Sequence, residues 1–196
     1  MTTADKMTDI EPDDWAFHFD TGRPCLNFTA TLAERGGRSY DRWRDAGDLV
    51  RWFAEAGNEA PAHVSANDLD AARDLREAIY RLVTAANAGR KPKSVDVDMV
   101  NHWAAKPVAA PQLSADARHL VWRTGRAFEA ALADLARDAI ELVTSHDLTK
   151  LRECEEHSCS VLFVDHSRPG KRRWCSMSRC GNRMKKAAFR KRQAEA

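Results

Sequence analysis

The chain has 196 residues, enough for one sizeable core and a small appended module. It is 43% hydrophobic and 31% charged, the balance of an ordinary globular chain, and its apolar runs are too short to cross a bilayer, so no transmembrane segment is expected. The net charge of +2 hides an uneven distribution: residues 150–196 hold thirteen Lys and Arg against five Asp and Glu, or +8, and the first 149 hold eighteen against twenty-four, or −6. Such a split points to a polyanionic partner for the C-terminal part and not for the body.

Residues 1–14 are polar and acidic and are expected to be flexible. Met1 to Asp20 has no apolar run of signal-peptide length, and the chain has only five cysteines, so a cytoplasmic location is expected. The alternation WAFHFD places Trp15, Phe17 and Phe19 on one face of a short strand. After a turn at TGRP, the segment CLNFTATLAER reads as a helix with Leu26, Thr29 or Ala30, and Ala33 inward, ended by Gly36 and Gly37. Asp45 to Ala56 carries Leu49, Val50, Trp52 and Phe53 in a short amphipathic helix stopped by Gly57.

Ser65 suits the N-cap of the next helix. Its Leu69, Ala72, Leu75, Ile79, Leu82, Val83 and Ala86 recur at three and four, and Gly89 stops it. Ser94 is the expected cap of a helix with Val97, Val100 and Trp103 that ends before Pro107. PQLSADARHLVW suggests two short strands around a turn. A long helix from about Thr124 to Ser145 buries Phe128, Ala131, Leu132, Leu135, Ala139, Leu142 and Val143. The fold expected is mainly α with a small β component: a flexible segment 1–14, a mainly helical domain 15–149, and a small appended module 150–196.

Four of the five cysteines fall in that module as Cys154, Cys159, Cys175 and Cys180, two Cys-x4-Cys pairs separated by fifteen residues. Paired cysteines at this separation have the spacing of a tetrahedral thiolate zinc site. Two disulfides are the rival reading, which the missing signal peptide disfavours. Four cysteines leave no open coordination position, so one zinc ion would be structural rather than catalytic. His157 and His166 are then ordinary surface histidines. SVLFVD reads as a strand, RPG as a turn and KRRWC as the returning strand, followed by a helix. This order is similar to a treble-clef finger, with Phe163 and Trp174 as its small core.

On a helix from Ser178 to Arg192 the 100° step places Arg179, Arg183, Lys186 and Arg190 in one stripe, with Cys180, Met184, Ala187 and Ala188 on the neighbouring, inward face. Arg168, Lys171, Arg172 and Arg173 add charge from the hairpin. Arg172, Arg173, Lys185 and Lys186 are expected on phosphates, and Arg179 and Arg183 are the groove-facing candidates on DNA.

The run WCSMSRCGNRMKKAAF resembles the CGNR zinc finger, through Cys180, Gly181, Asn182 and Arg183. The likeness spans about the last forty-five residues, with Pro169 where that family has a small residue or Asn. It implies Cys154, Cys159, Cys175 and Cys180 as ligands and a local structural task for Asn182. FDTGRPCLNFTATL is similar to the opening of the ABATE domain. Gly22, Leu26, Phe28 and Thr31 match, whereas Asn27 and Ala30 replace an acidic residue and an asparagine. This pair of resemblances implies a bacterial stress-induced transcription regulator with a helical sensor domain.

No phosphate-binding glycine loop, no HExxH and no GxSxG is present, so the chain is not expected to be an enzyme. DNA is the expected partner, with RNA or an acidic protein surface as alternatives. His18, Asp20, Arg23 and Asn27 are the candidate residues for binding a small-molecule effector, and a homodimer would favour paired half-sites. Cys25, outside the metal set, is expected to be buried packing.

Overall fold

A computed structural model describes Ile10, residues 12–57, Pro61 and residues 63–194. Most of the expected flexible segment lies outside the described residues. The chain forms two compact units, Trp43–Ser145 and a second made of Met1–Arg42 with His146–Ala196.

The first unit is helical. Helices α2 (Ala46–Glu55), α3 (Ala66–Asn87), α4 (Ser94–Ala104) and α5 (Ala127–Thr144) have the expected order. In α2 the Asp45 side chain accepts from Asp48 N at 3.0 Å. Trp52 and Phe53 are buried and meet edge-to-face, and Trp52 meets Trp43 in the same way. Helix α3 starts with a full capping box, in which Ser65 Oγ accepts from Asp68 N and the Asp68 carboxylate accepts from Ser65 N. Ser65→Ala should therefore destabilise this unit by about 1 kcal/mol, read as a lower urea midpoint with unchanged far-UV circular dichroism.

Helices α3, α4 and α5 pack on one another through the stripe of Leu75, Ile79 and Val83, Val100, and Leu132, Leu135, Ala139 and Leu142, all buried. Ser94 does not cap α4: it is the first helical residue, and Lys93 holds the cap position without a side-chain bond. The start of α4 is fixed instead by Asp96, 1% exposed, whose Oδ1 accepts from Arg81 Nη2 at 2.5 Å and Nε at 2.9 Å. The weakly patterned segment forms an antiparallel hairpin, β3 (Ala110–Leu113) with β4 (Leu120–Arg123).

The second unit departs further from expectation. WAFHFD is no strand: residues Pro12–Trp15 form a 3-10 turn and Phe17 to Asp20 carry no regular secondary structure. Helix α1 (Pro24–Thr29) is six residues long. Thr29 Oγ1 donates to Leu26 O and Thr31 Oγ1 to Phe28 O, and such local bonds compete with helix propagation. The chain then turns through β1 (Leu32–Ala33) and β2 (Tyr40–Asp41), an antiparallel pair whose loop holds Glu34 and Ser39 at positive φ.

The other strand pair is β5 (Leu151–Glu153) with β6 (Leu162–Val164), bracketing the first cysteine pair. The expected return strand KRRWC stays irregular. The Asp165 carboxylate accepts from Ser167 N and Arg172 N, so side-chain bonds replace a ladder there. Thr21 O accepts from Val164 N at 2.8 Å, and Gly22, at φ +86°, brings its α-carbon so close that a Cβ would stand 3.1 Å from Val164 O. Ala30 joins Cys154, Val161, Phe163, Cys175 and Cys180 in one buried cluster. Residues far apart in sequence thus share the core around the cysteines. Helix α6 (Asn182–Ala194) ends the described chain. Among the described residues no helix is long and apolar enough to cross a membrane.

Candidate functional site

The four sulfurs of Cys154, Cys159, Cys175 and Cys180 lie within 4.8 Å of one another. Cys159 Sγ is 3.7 Å from Cys175 Sγ, and Cys175 Sγ is 3.5 Å from Cys180 Sγ. A zinc ion with thiolates at 2.3 Å in a tetrahedron sets its sulfurs about 3.8 Å apart, so the set fits zinc, and all four cysteines are reduced. Two tight turns present them. In the first, Cys159 N donates to Glu156 O; in the second, a π-helical turn over Met177–Gly181 carries Cys180, and Gly181 N donates to Ser176 O. Cys175 N donates to Cys154 Sγ at 3.5 Å, a bond that favours the thiolate.

Neighbouring thiols divide the charge among themselves. Cys154 is held far below the usual thiol range by sulfur hydrogen bonds from Cys159, Cys175 and Cys180. Cys159 and Cys175 are pushed far up, foremost by their bonds to Cys154. A divalent cation at the centre removes this conflict and lets all four ionise. Cys154, Cys175 and Cys180 are buried and Cys159 half-buried, and no fifth group joins the set among the described residues. His157 and His166 are exposed and stand outside it. Phe163 is fully buried beside the sulfurs and Trp174 packs against them half-buried. Asn182 Nδ2 donates to Ser178 O at 3.1 Å, pinning the turn to the start of α6. A Cβ on Gly181 would stand 2.8 Å from Met177 Sδ and 3.4 Å from the Trp174 ring.

The basic residues divide into two groups. Arg179 and Arg183, the groove-facing candidates, point inward. Arg179 donates to Ala16 O and bonds His18 Nε2. Arg183 reaches Asp14 at 3.0 Å, Glu156 at 3.5 Å and Glu34 at 3.6 Å. Arg172 is also engaged: its guanidinium donates to Trp174 O, Asp20 O and Cys175 O and lies over the Phe163 ring. Arg173 pairs with Glu155 at 2.6 Å and covers Trp174. Arg168, Lys171, Lys185, Lys186 and Arg190 are exposed. No partner of theirs is found among the described residues. From Lys185 onward α6 is exposed on every side. Ala187 and Ala188, expected to face inward, are exposed as well, and Phe189 is 54% exposed.

Of the four candidate effector residues, His18 alone lines the cavity that also meets Arg42 and Arg179. Arg23 pairs with Asp147 at 3.5 Å, the Asn27 carboxamide oxygen accepts from Thr21 N and Oγ1, and the Asp20 side chain is exposed. His18 lies between Arg42 and Arg179. Burial first, then the charge of Arg42, brings its imidazole down to about 2, so the ring is neutral and Nε2 accepts. The cavity beside it is about 30 Å³, room for a water molecule and not for an organic ligand. Sequence inspection missed Arg42, 4% exposed, which donates to Asp14 O, Ala30 O, Tyr40 Oη and His18 Nε2. Cys25 is fully buried.

A family model for ABATE, described as "Putative stress-induced transcription regulator", matches residues 22–146. The CGNR zinc finger model matches residues 150–193. No curated protein matches the chain. The first match covers well over half of the chain and the second frames the four-sulfur centre, so the chain belongs to the ABATE family and carries a CGNR zinc finger built on one structural zinc ion.

Proposed function

We propose that the protein regulates transcription by binding duplex DNA through the exposed cations of its zinc-held unit. The observation that carries this reading is the division of the basic residues. Arg172, Arg173, Arg179 and Arg183 are engaged within the unit, whereas Lys185, Lys186 and Arg190 stand exposed on a helix that begins beside the last zinc ligand, with Arg168 and Lys171 exposed on the loop between the cysteine pairs. Cations held on a rigid scaffold suit phosphate contacts, because each neutralised phosphate releases counterions. Zinc's task is to fix the scaffold. The helical unit Trp43–Ser145 is the part proposed to receive a signal.

Titration of a fluorescent random-sequence duplex with zinc-loaded protein tests this. Binding that weakens steeply as salt rises, and that is lost when zinc is removed by a chelator, is the expected result. No binding at low salt would contradict it. A competing single-stranded RNA that displaces the duplex at equal concentration would turn the reading toward RNA. Phe189, exposed among the cations, supports one further reading, docking on an acidic protein surface, which predicts no affinity for either nucleic acid.

A further inference from the structure

We propose that the cleft between α5 and the β3–β4 hairpin binds a small hydrophobic organic cation, whose ammonium group meets Asp134 and whose apolar body lies on Trp122 and the alanines of α5. The cleft measures about 320 Å³ and is lined by Val108, Ala109, Trp122, Ala127, Ala131 and Asp134, among others. That volume falls at the lower end of small-molecule sites, which are apolar with a few placed polar groups. Every residue of it belongs to the helical unit. The proposal goes beyond the DNA-binding reading and does not rest on it.

The helix explains the shape. Positions 127, 131 and 134 follow one another at four and three, so they share a face. Alanine at the first two leaves a hollow where larger side chains would fill it, and Asp134 lines the same hollow. The hairpin supplies the other wall. In its register Pro111 faces Trp122 and Leu113 faces Leu120, so these four share one side of the ribbon. Of these, Trp122, 53% exposed, lines the cleft together with Val108 and Ala109, an apolar wall for an apolar body.

Charge selects the class of ligand. Asp134 has no hydrogen bond or ion pair with any described residue. The nearest cation in its helix, Arg137, is committed elsewhere: Nε donates to Ala104 O at 2.9 Å and Nη2 to Lys106 O at 3.0 Å. Burial pushes the Asp134 carboxyl above its ordinary value, with Arg137 opposing, the state of an acid short of a counterion. An exposed carboxylate or tryptophan alone is ordinary on a surface. Converging on one apolar hollow, they offer a counterion and a π-face, the two features that recognise an organic ammonium group.

The test is nuclear magnetic resonance titration of the full-length, zinc-loaded protein. Phenethylamine and tryptamine are the probes, with 2-phenylethanol and phenylacetate as neutral and anionic matches. Both amines should bind saturably with Kd below about 10 mM, shifting the Trp122 indole signal, with the alcohol at least about tenfold weaker. Asp134→Asn should weaken the amines about tenfold, and Ala131→Phe should abolish binding by filling the hollow. The surface substitution Asp134→Asn keeps the test valid if Ala131→Phe fails to fold. An amine that binds no better than the alcohol, or an Asp134→Asn variant that binds as the parent does, would overturn the proposal. So would an absence of saturable binding by either amine.

Discussion

Cys175→Ser is expected to abolish stoichiometric zinc binding and with it the structure of the unit formed by Met1–Arg42 and His146–Ala196. Cys175 is 2% exposed, its sulfur is within 3.7 Å of Cys159 and 3.5 Å of Cys180, and its amide donates to Cys154 Sγ. A serine hydroxyl at this place is a poor ligand for zinc and leaves three thiols in a buried cluster. Binding of structural zinc contributes folding free energy on the order of 10 kcal/mol, comparable with the whole stability of an ordinary domain. Ala30, Val161 and Phe163 pack on the cysteines, so the loss extends to residues before residue 43 and is not confined to 150–196. Metal analysis should find about one zinc per parent chain and almost none in the variant. Amide signals of residues 14–42 should lose dispersion together with those of the finger, while α2 to α5 keep theirs. A variant that keeps one zinc and a native spectrum would contradict this.

Arg42→Leu should cost about 3 kcal/mol. The guanidinium is buried and supplies donors to two backbone carbonyls, at 2.9 Å from Asp14 O and 2.7 Å from Ala30 O, and to the Tyr40 hydroxyl and His18 Nε2. It lies 5.3 Å from the Tyr40 ring centre. Leucine fills part of the volume and leaves every one of those acceptors without this donor. Arg42→Lys keeps the charge but not the planar fork, so its cost should fall between. Denaturant unfolding measures both. A loss under about 0.5 kcal/mol for Arg42→Leu would show that the network adds nothing to stability.

The helical unit was largely legible because its signals are local. The three-four stripe of α3, the Ser65 cap and the stops at Gly57 and Gly89 act within a few residues, and α2, α3 and α5 lie close to where those signals put them. The zinc site was legible for another reason: four-thiolate chemistry constrains spacing strongly enough to show in the sequence. What escaped notice depends on partners distant in the chain. A helical wheel drawn over Ser178 to Arg192 places Arg179 and Arg183 in one open stripe, but it cannot see that Arg179 falls in the π-helical turn before α6, or Asp14, Glu34 and Glu156, which claim Arg183, or the Ala16 carbonyl and His18, which take Arg179. Strand β6 pairs back to β5 rather than forward to KRRWC, because the Asp165 carboxylate and the Arg172 fork satisfy that loop. His18, Asp20, Arg23 and Asn27 share a stretch of sequence, but only His18 of the four lines the cavity beside Arg42. The cleft at Asp134 needs Trp122 of the hairpin brought beside α5, and no periodicity encodes that.

The direct test of the proposed DNA surface is the salt dependence of duplex binding in two variants beside the parent. Replacing Lys185, Lys186 and Arg190 by alanine should reduce the slope of log K against log salt by up to about 2.7, three phosphates at about 0.9 each, without changing stability. Replacing Arg179 and Arg183 should lower stability and, wherever the protein remains folded, leave the slope unchanged. The opposite pattern, a slope carried by Arg179 and Arg183 and indifferent to the three α6 cations, would contradict the assignment of the exposed helix as the DNA surface.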